Sequence, residues 1–148
     1  MKKISLNAVY EPLVFEINGE EVRVKVDTTP KNLKPLSELC HKNGTEMKPI
    51  EKARNKAIAE GDVREAERTS SALADKIMPI LNAALVGNGT EELITALGGG
   101  VPVNPSDCIE QLVMVMDAII HTIRDHFGLS AAQMTAGAAD ALQATNNN

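Results

Sequence analysis

The sequence predicts an α+β chain that is mainly α, with an N-terminal β-hairpin or small antiparallel sheet followed by a bundle of about five helices. Three observations predict it. Asn18-Gly19 separates two alternating apolar runs, the strongest short signal for a hairpin. Most of the remaining chain repeats apolar residues at three- and four-residue steps, the period of helices packed on one face. The 148 residues are also enough to bury one real core. One domain is expected over 1–148, with a β-structured part at 1–30, a helical part at 31–128 and a weakly packed, Ala-rich tail at 129–148.

At the start, Ile4, Leu6, Ala8 and Tyr10 alternate, which suits an edge strand or an extended arm. In the hairpin, Leu13, Phe15 and Ile17 precede the turn, and Val22, Val24 and Val26 follow it. A two-residue type I′ turn sets Phe15 opposite Val22 and Leu13 opposite Val24, placing the apolar residues on one face. A lone hairpin is marginal in water, so helices must cover that face.

Asp27-Thr28-Thr29-Pro30 can cap a helix carrying Leu33, Leu36, Leu39 and Cys40, but Pro35 argues for a start near Lys34. Asn43-Gly44 is expected to stop it. A basic helix from Lys48 to Glu60 follows, with Ile50, Ala53, Ala57 and Ile58 inward. Gly61 ends it, and Asp62 caps the next helix, Val63 towards Val86, which Pro79 should kink or divide. Thr90-Glu91-Glu92-Leu93 opens a short helix to Leu97, and Gly98-Gly99-Gly100 reads as a flexible joint. The longest apolar stripe is Ile109, Leu112, Val113, Met116, Ile119, Ile120, Ile123 and Phe127. Asn104 caps this helix, Pro105 occupies its first position and Gly128 ends it. It is expected to be the element on which the others pack. Ser130 would cap a last segment, Ala131 to about Gln143, and Asn146-Asn147-Asn148 reads as disordered.

Composition narrows the function. There is no Trp, one Tyr and two Phe, so the core is aliphatic and aromatic stacking on bases or sugars is disfavoured. A net charge of −5 argues against a phosphate-binding surface. A minority reading, nucleic-acid binding through Lys48, Lys52, Arg54 and Lys56, rests on one basic helix. No signal peptide is visible, and no run reaches the roughly 18 apolar residues of a membrane span. The chain therefore reads as cytoplasmic, with no membrane partner.

Catalytic and metal motifs are missing. Gly89 is followed by Thr90-Glu91-Glu92, where a phosphate-binding loop needs Lys and Ser or Thr. His121 and His126 are five apart and diverge around their helix, as do the adjacent Cys40 and His41. No Ser or Cys has a local base. No catalytic residue, cofactor or metal is expected, and the chain does not read as an enzyme. Cys40 and Cys108 can form a disulfide, although buried free thiols suit a cytosolic chain better. Asn43-Gly44-Thr45 and Asn88-Gly89-Thr90 match the glycosylation sequon and read here as turn-and-cap chemistry.

Two features ask for a protein partner. Met114, Val115 and Ala118 lie off the main stripe of the long apolar helix. They mark either a helix sandwiched between neighbours or a face for an apolar partner helix, for which Met is well suited. Charge is also polarised. Lys31 to Lys56 is mostly basic, whereas Arg124 is the lone cation from Glu91 onward. The two halves either attract within one molecule or join copies head to tail through Lys48, Lys52, Arg54, Lys56, Glu91 and Glu92.

The order of parts resembles a known family. An extended segment and strand pair ending in Asn18-Gly19 precede basic and mixed helices. These lead into Ile80-Leu81-Asn82-Ala83-Ala84-Leu85-Val86-Gly87-Asn88-Gly89-Thr90-Glu91-Glu92-Leu93-Ile94, then a Gly-rich break and a long apolar helix. Over residues 10–127 this is similar to the tail assembly chaperones of long-tailed, siphovirus-type bacteriophages and prophages, which often carry a Leu-Gly-x-Gly-like turn. Here the turn is one residue longer, and the run at Gly98 is richer in glycine. The resemblance implies a non-enzymatic protein of the host cytoplasm. It would coat the helical tape-measure protein, self-associate, and hand that protein to tail-tube subunits. It also implies, in many members, a longer product made by frameshifting. A regulatory or adaptor module binding another protein through the same surface is the alternative.

Overall fold

The computed structural model describes residues 1–130. Asn18 and Gly19 carry φ of 53° and 81°, the left-handed pair that a type I′ turn requires. They join β1 (Glu11–Ile17) to β2 (Glu20–Val26) in an antiparallel hairpin. Phe15 faces Val22 and Leu13 faces Val24, the register expected from the turn. Residues before the hairpin belong to no strand, and Ile4, Leu6 and Val9 are exposed.

Four α-helices follow among the described residues, where about five were expected: α1 (Pro30–Glu60), α2 (Val63–Ala84), α3 (Gly89–Leu97) and α4 (Ile109–Phe127). The count differs mainly because α1 runs unbroken past Pro35, Asn43-Gly44 and Pro49. Its buried stripe explains why. Leu33, Leu36, Cys40, Asn43, Met47 and Ala57 keep helical spacing across the glycine, and tertiary packing outweighs a Gly penalty of about 1 kcal/mol. Asn43 is a member of that stripe. Its amide donates to the Lys76 carbonyl of α2 at 2.9 Å, satisfying a polar group that is only 5% exposed. Pro30 occupies the first helical position, where its missing N–H costs nothing, so the helix starts four residues before Lys34. Ile58, expected inside, is exposed.

Gly61, at φ 70°, turns the chain between α1 and α2. The Gly61 N–H bonds to the Ile58 carbonyl and the Asp62 N–H to the Ala57 carbonyl, a Schellman closure. Asp62 then caps α2 by accepting from the Glu65 N–H at 3.2 Å. The two helices lie antiparallel, tied along their length by Asn32 to Ala83, Asn43 to Lys76, Glu46 to Lys76 and Arg54 to Ser70. Pro79 does not divide α2.

The most extensive packing in the molecule is α2 on α1, and α2 also meets α3, α4 and the 3-10 turn; α4, expected as the element on which the others pack, meets α2, both strands and the 3-10 turn. The C-terminal end of α2 is tied to the end of the hairpin and the start of α1. Asp27 N–H donates to the Ala84 carbonyl at 2.8 Å, Val86 N–H to the Lys25 carbonyl at 2.9 Å, and Asn32 Nδ2 to the Ala83 carbonyl at 3.1 Å. Sheet and helix are thereby spliced. Val24 and Val26 enter one continuous core with Leu33, Leu73, Ile77, Leu81, Leu93, Leu112 and Ile119.

The triple glycine is an ordered turn. Gly98, Gly99 and Gly100 all return N–H bonds to the last turn of α3, on the Ile94, Ala96 and Thr95 carbonyls. A Cβ on Gly98 would sit 1.7 Å from the Val101 carbonyl oxygen, so only glycine fits. Asn104 caps as expected, accepting from the Ser106 N–H at 3.1 Å, but it opens a 3-10 turn, Pro105–Asp107, and α4 begins afresh at Ile109. Gly128, at φ 66°, closes α4 and lets Leu129 tuck into the core. The expected segment from Ala131 and the Asn-rich end lie outside the described residues.

Candidate partner-binding surface

The α4 face expected to bind a partner does not hold together. Val115 is 5% exposed and belongs to the core, because α4 is buried on more of its circumference than one stripe requires. Ala118 is half-buried. Met114 alone is open, 71% exposed, among exposed Glu110, Gln111, Asp117 and His121. A single Met in a polar surround needs no partner to explain it.

The apolar concave surface lies along α2 instead. Three depressions share lining residues: the first and second meet at Ser71 and Ser106, the second and third at Met78 and Pro105. They follow one face of α2 from Val63 through Ala66, Ser70, Ala74 and Met78 to Asn82. That is a groove of ~30 Å at the helical rise per residue. Volumes are about 550, 160 and 220 Å³ along it. The cause is local sequence. This face of α2 is built from Ala and Ser, so the elements beside it stand above its floor. The walls are the end of α1 with Ile58, the turn carrying Pro102, Pro105 and Ser106, and α3 with Ile94. Ile58 and Val63, 54% and 67% exposed, place unburied apolar surface at one mouth.

The rim is acidic. Asp62, Glu67, Asp75, Glu91 and Asp107 line the groove against one cation, Arg54. That cation is already engaged. Arg54 Nε donates to Ser70 Oγ at 2.8 Å, and its terminal nitrogen to Glu110 Oε1 at 2.7 Å, tying α1 to α2 and α4. The Arg54 hydrogen bond, more than its charge alone, holds the Glu110 carboxyl below the usual glutamate range. Arg54 is therefore an internal strut and not an open contact for a second copy. Lys48, Lys52 and Lys56 remain exposed on α1, and Glu91 and Glu92 on the first turn of α3, where the helix dipole favours carboxylates. Charge attraction thus acts within the molecule at Arg54, while the lysines and the α3 glutamates stay open.

The cysteines take no part in the groove. Both are free and buried. Burial pushes the Cys40 thiol up to about 11. Burial, then the charges of Asp107 and Glu110, raises that of Cys108. Thiols held protonated in this way are poor nucleophiles. Among the described residues, no three His, Cys, Asp or Glu side chains gather as metal ligands, and no helix is long and apolar enough to cross a membrane. Asn43, in one glycosylation sequon, is buried and bonded to α2.

The groove was not anticipated from the sequence. The signal present was the run of small residues on α2 at helical spacing, Ala66, Ser70 and Ala74. The chain matches no protein-family model, and no curated protein or solved structure is significantly similar to it.

Proposed function

We propose that this chain is a protein-binding assembly factor without catalytic activity, a tail assembly chaperone that cradles helical stretches of a tape-measure protein and self-associates along it. The tail-tube protein would be the recipient. The observation that carries the reading is the groove along α2, with its length of several helical turns, its small-residue floor and its acidic rim. An amphipathic helix laid in such a groove buries its apolar stripe and sets flanking Lys or Arg against the rim. The resemblance of the order of parts in the sequence to that of the tail chaperones supports the choice of partner. An adaptor for some other basic helix would use the same surface, so the choice is tested on the partner itself.

Co-expression with a tape-measure protein is the direct test. The wild-type chain should raise the soluble yield of the long protein several-fold. Ile58→Asp with Val63→Asp should abolish the gain while leaving the chaperone folded, since both side chains are already exposed. No gain from the wild-type chain overturns the reading.

A further inference from the structure

The hairpin is anchored by the end of its β2 edge, whereas among the described residues its β1 edge is open throughout. On the β2 side, Lys25 and Asp27 turn their backbone groups outward and bond to Val86 and Ala84. The ladder alternates, so Pro12, opposite Lys25, also faces outward, as do Val14 and Glu16. No described strand lies beyond β1. Pro12 tolerates this position because it has no N–H to leave unpaired. Val14 and Glu16 leave two N–H and two C=O groups open to a further strand.

The segment just before β1 has the pattern to fill that edge. Ile4, Leu6 and Ala8 alternate with Ser5 and Asn7, all exposed, and nothing among the described residues covers them. Its base is fixed, because buried Thr28 donates its hydroxyl to the Val9 carbonyl at 3.1 Å. Run antiparallel to β1, the segment sets Ile4, Leu6 and Ala8 beside Ile17, Phe15 and Leu13. Those three are only half-buried in the single molecule. Ser5 and Asn7 then meet Glu16 and Val14, whose backbone groups are free. Lys2 and Lys3 arrive at the turn, next to Glu16, Glu20 and Glu21, so charge matches as well as pattern.

Within one chain this register cannot form, since it would pair the adjacent residues Tyr10 and Glu11. A tighter fold-back fails too. A two-residue turn at Val9-Tyr10 would have to close on Glu11, whose backbone groups face Val26. It would also demand positive φ of a β-branched and an aromatic residue. The next closing pair, Asn7 with Pro12, lacks the proline donor.

We infer that residues 2–8 of one copy add as a third strand to the open edge of β1 in a second copy. This rests on the self-association half of the proposed function and gives it a contact: main-chain bonds supply the attachment and the apolar row sets the register.

The full chain is tested by light scattering across a concentration series, together with Leu6→Asp and Val14→Pro. Leu6 is 88% exposed, so its substitution should leave the fold intact while weakening association at least about tenfold. Val14→Pro removes an edge donor and should act the same way, with circular dichroism checking the fold. In a mixture of Ser5→Cys and Glu16→Cys chains carrying different tags, the expected product is a disulfide linking one chain of each kind. Association at wild-type strength in Leu6→Asp, with no mixed disulfide, overturns the strand addition but leaves self-association by other surfaces standing. A wild-type chain that stays monomeric throughout overturns both.

Discussion

Gly98 is the residue at which the backbone is least forgiving. A methyl group there meets the Val101 carbonyl oxygen at 1.7 Å, and the neighbouring turn is held by three N–H bonds to α3, so neither side can yield cheaply. Gly98→Ala should destabilise the protein by more than ~2 kcal/mol, measured by urea unfolding. Gly44 is the opposite case. It sits inside α1, and a Cβ added to it has nothing within 4 Å. Both glycines look like punctuation in the sequence, and only the surrounding backbone separates the one that turns the chain from the one the helix merely tolerates.

For α1 that tolerance becomes a measurement. A helix passing unbroken through Gly44 should be stabilised by Gly44→Ala, by ~0.5–1 kcal/mol, because Ala loses less backbone freedom on folding. A helix ending at Asn43 would instead lose stability. The hairpin was legible to the residue, because Asn-Gly with alternation fixes turn, register and face through local chemistry alone. The length of α1 was not. Pro35, Asn43-Gly44 and Pro49 are breakers by propensity, and what outweighs them is contact with α2, including an Asn side chain reaching the Lys76 carbonyl. The start of α4 was misjudged for a related reason. Asn104-Pro105 is a correct opening signal, but the turn it opens is a 3-10 one that ends at Cys108 before the α-helix begins.

At the scale of the whole molecule, the basic and acidic halves meet, among the described residues, through one ion pair, Arg54 with Glu110, while Lys48, Lys52, Lys56, Glu91 and Glu92 stay exposed. Opposite charge read from the sequence could not say which ions would be used internally, because that depends on how α1 and α4 lie on α2. Under the proposed self-association, the open lysines of α1 and the open glutamates of α3 would make contacts between copies sensitive to screening. Oligomer mass should fall as salt rises from about 0.05 to 0.5 M, where the screening length shrinks well below 10 Å. A mass independent of salt would remove charge pairing as a contributor. The groove along α2 was the least legible feature of all, since it exists by virtue of what is small on one helix and tall on three neighbours.

The splice between Lys25, Asp27 and the end of α2 limits what this molecule can share with another. Peeling the hairpin away would strip the Asp27 donor from the Ala84 carbonyl at the end of α2 and the Lys25 acceptor from the Val86 N–H just beyond it, so opening the sheet frays that end of the helix. In the strand addition inferred above, the piece passed between neighbours would therefore be the segment ahead of the hairpin, and the hairpin and helices that receive it would stay whole.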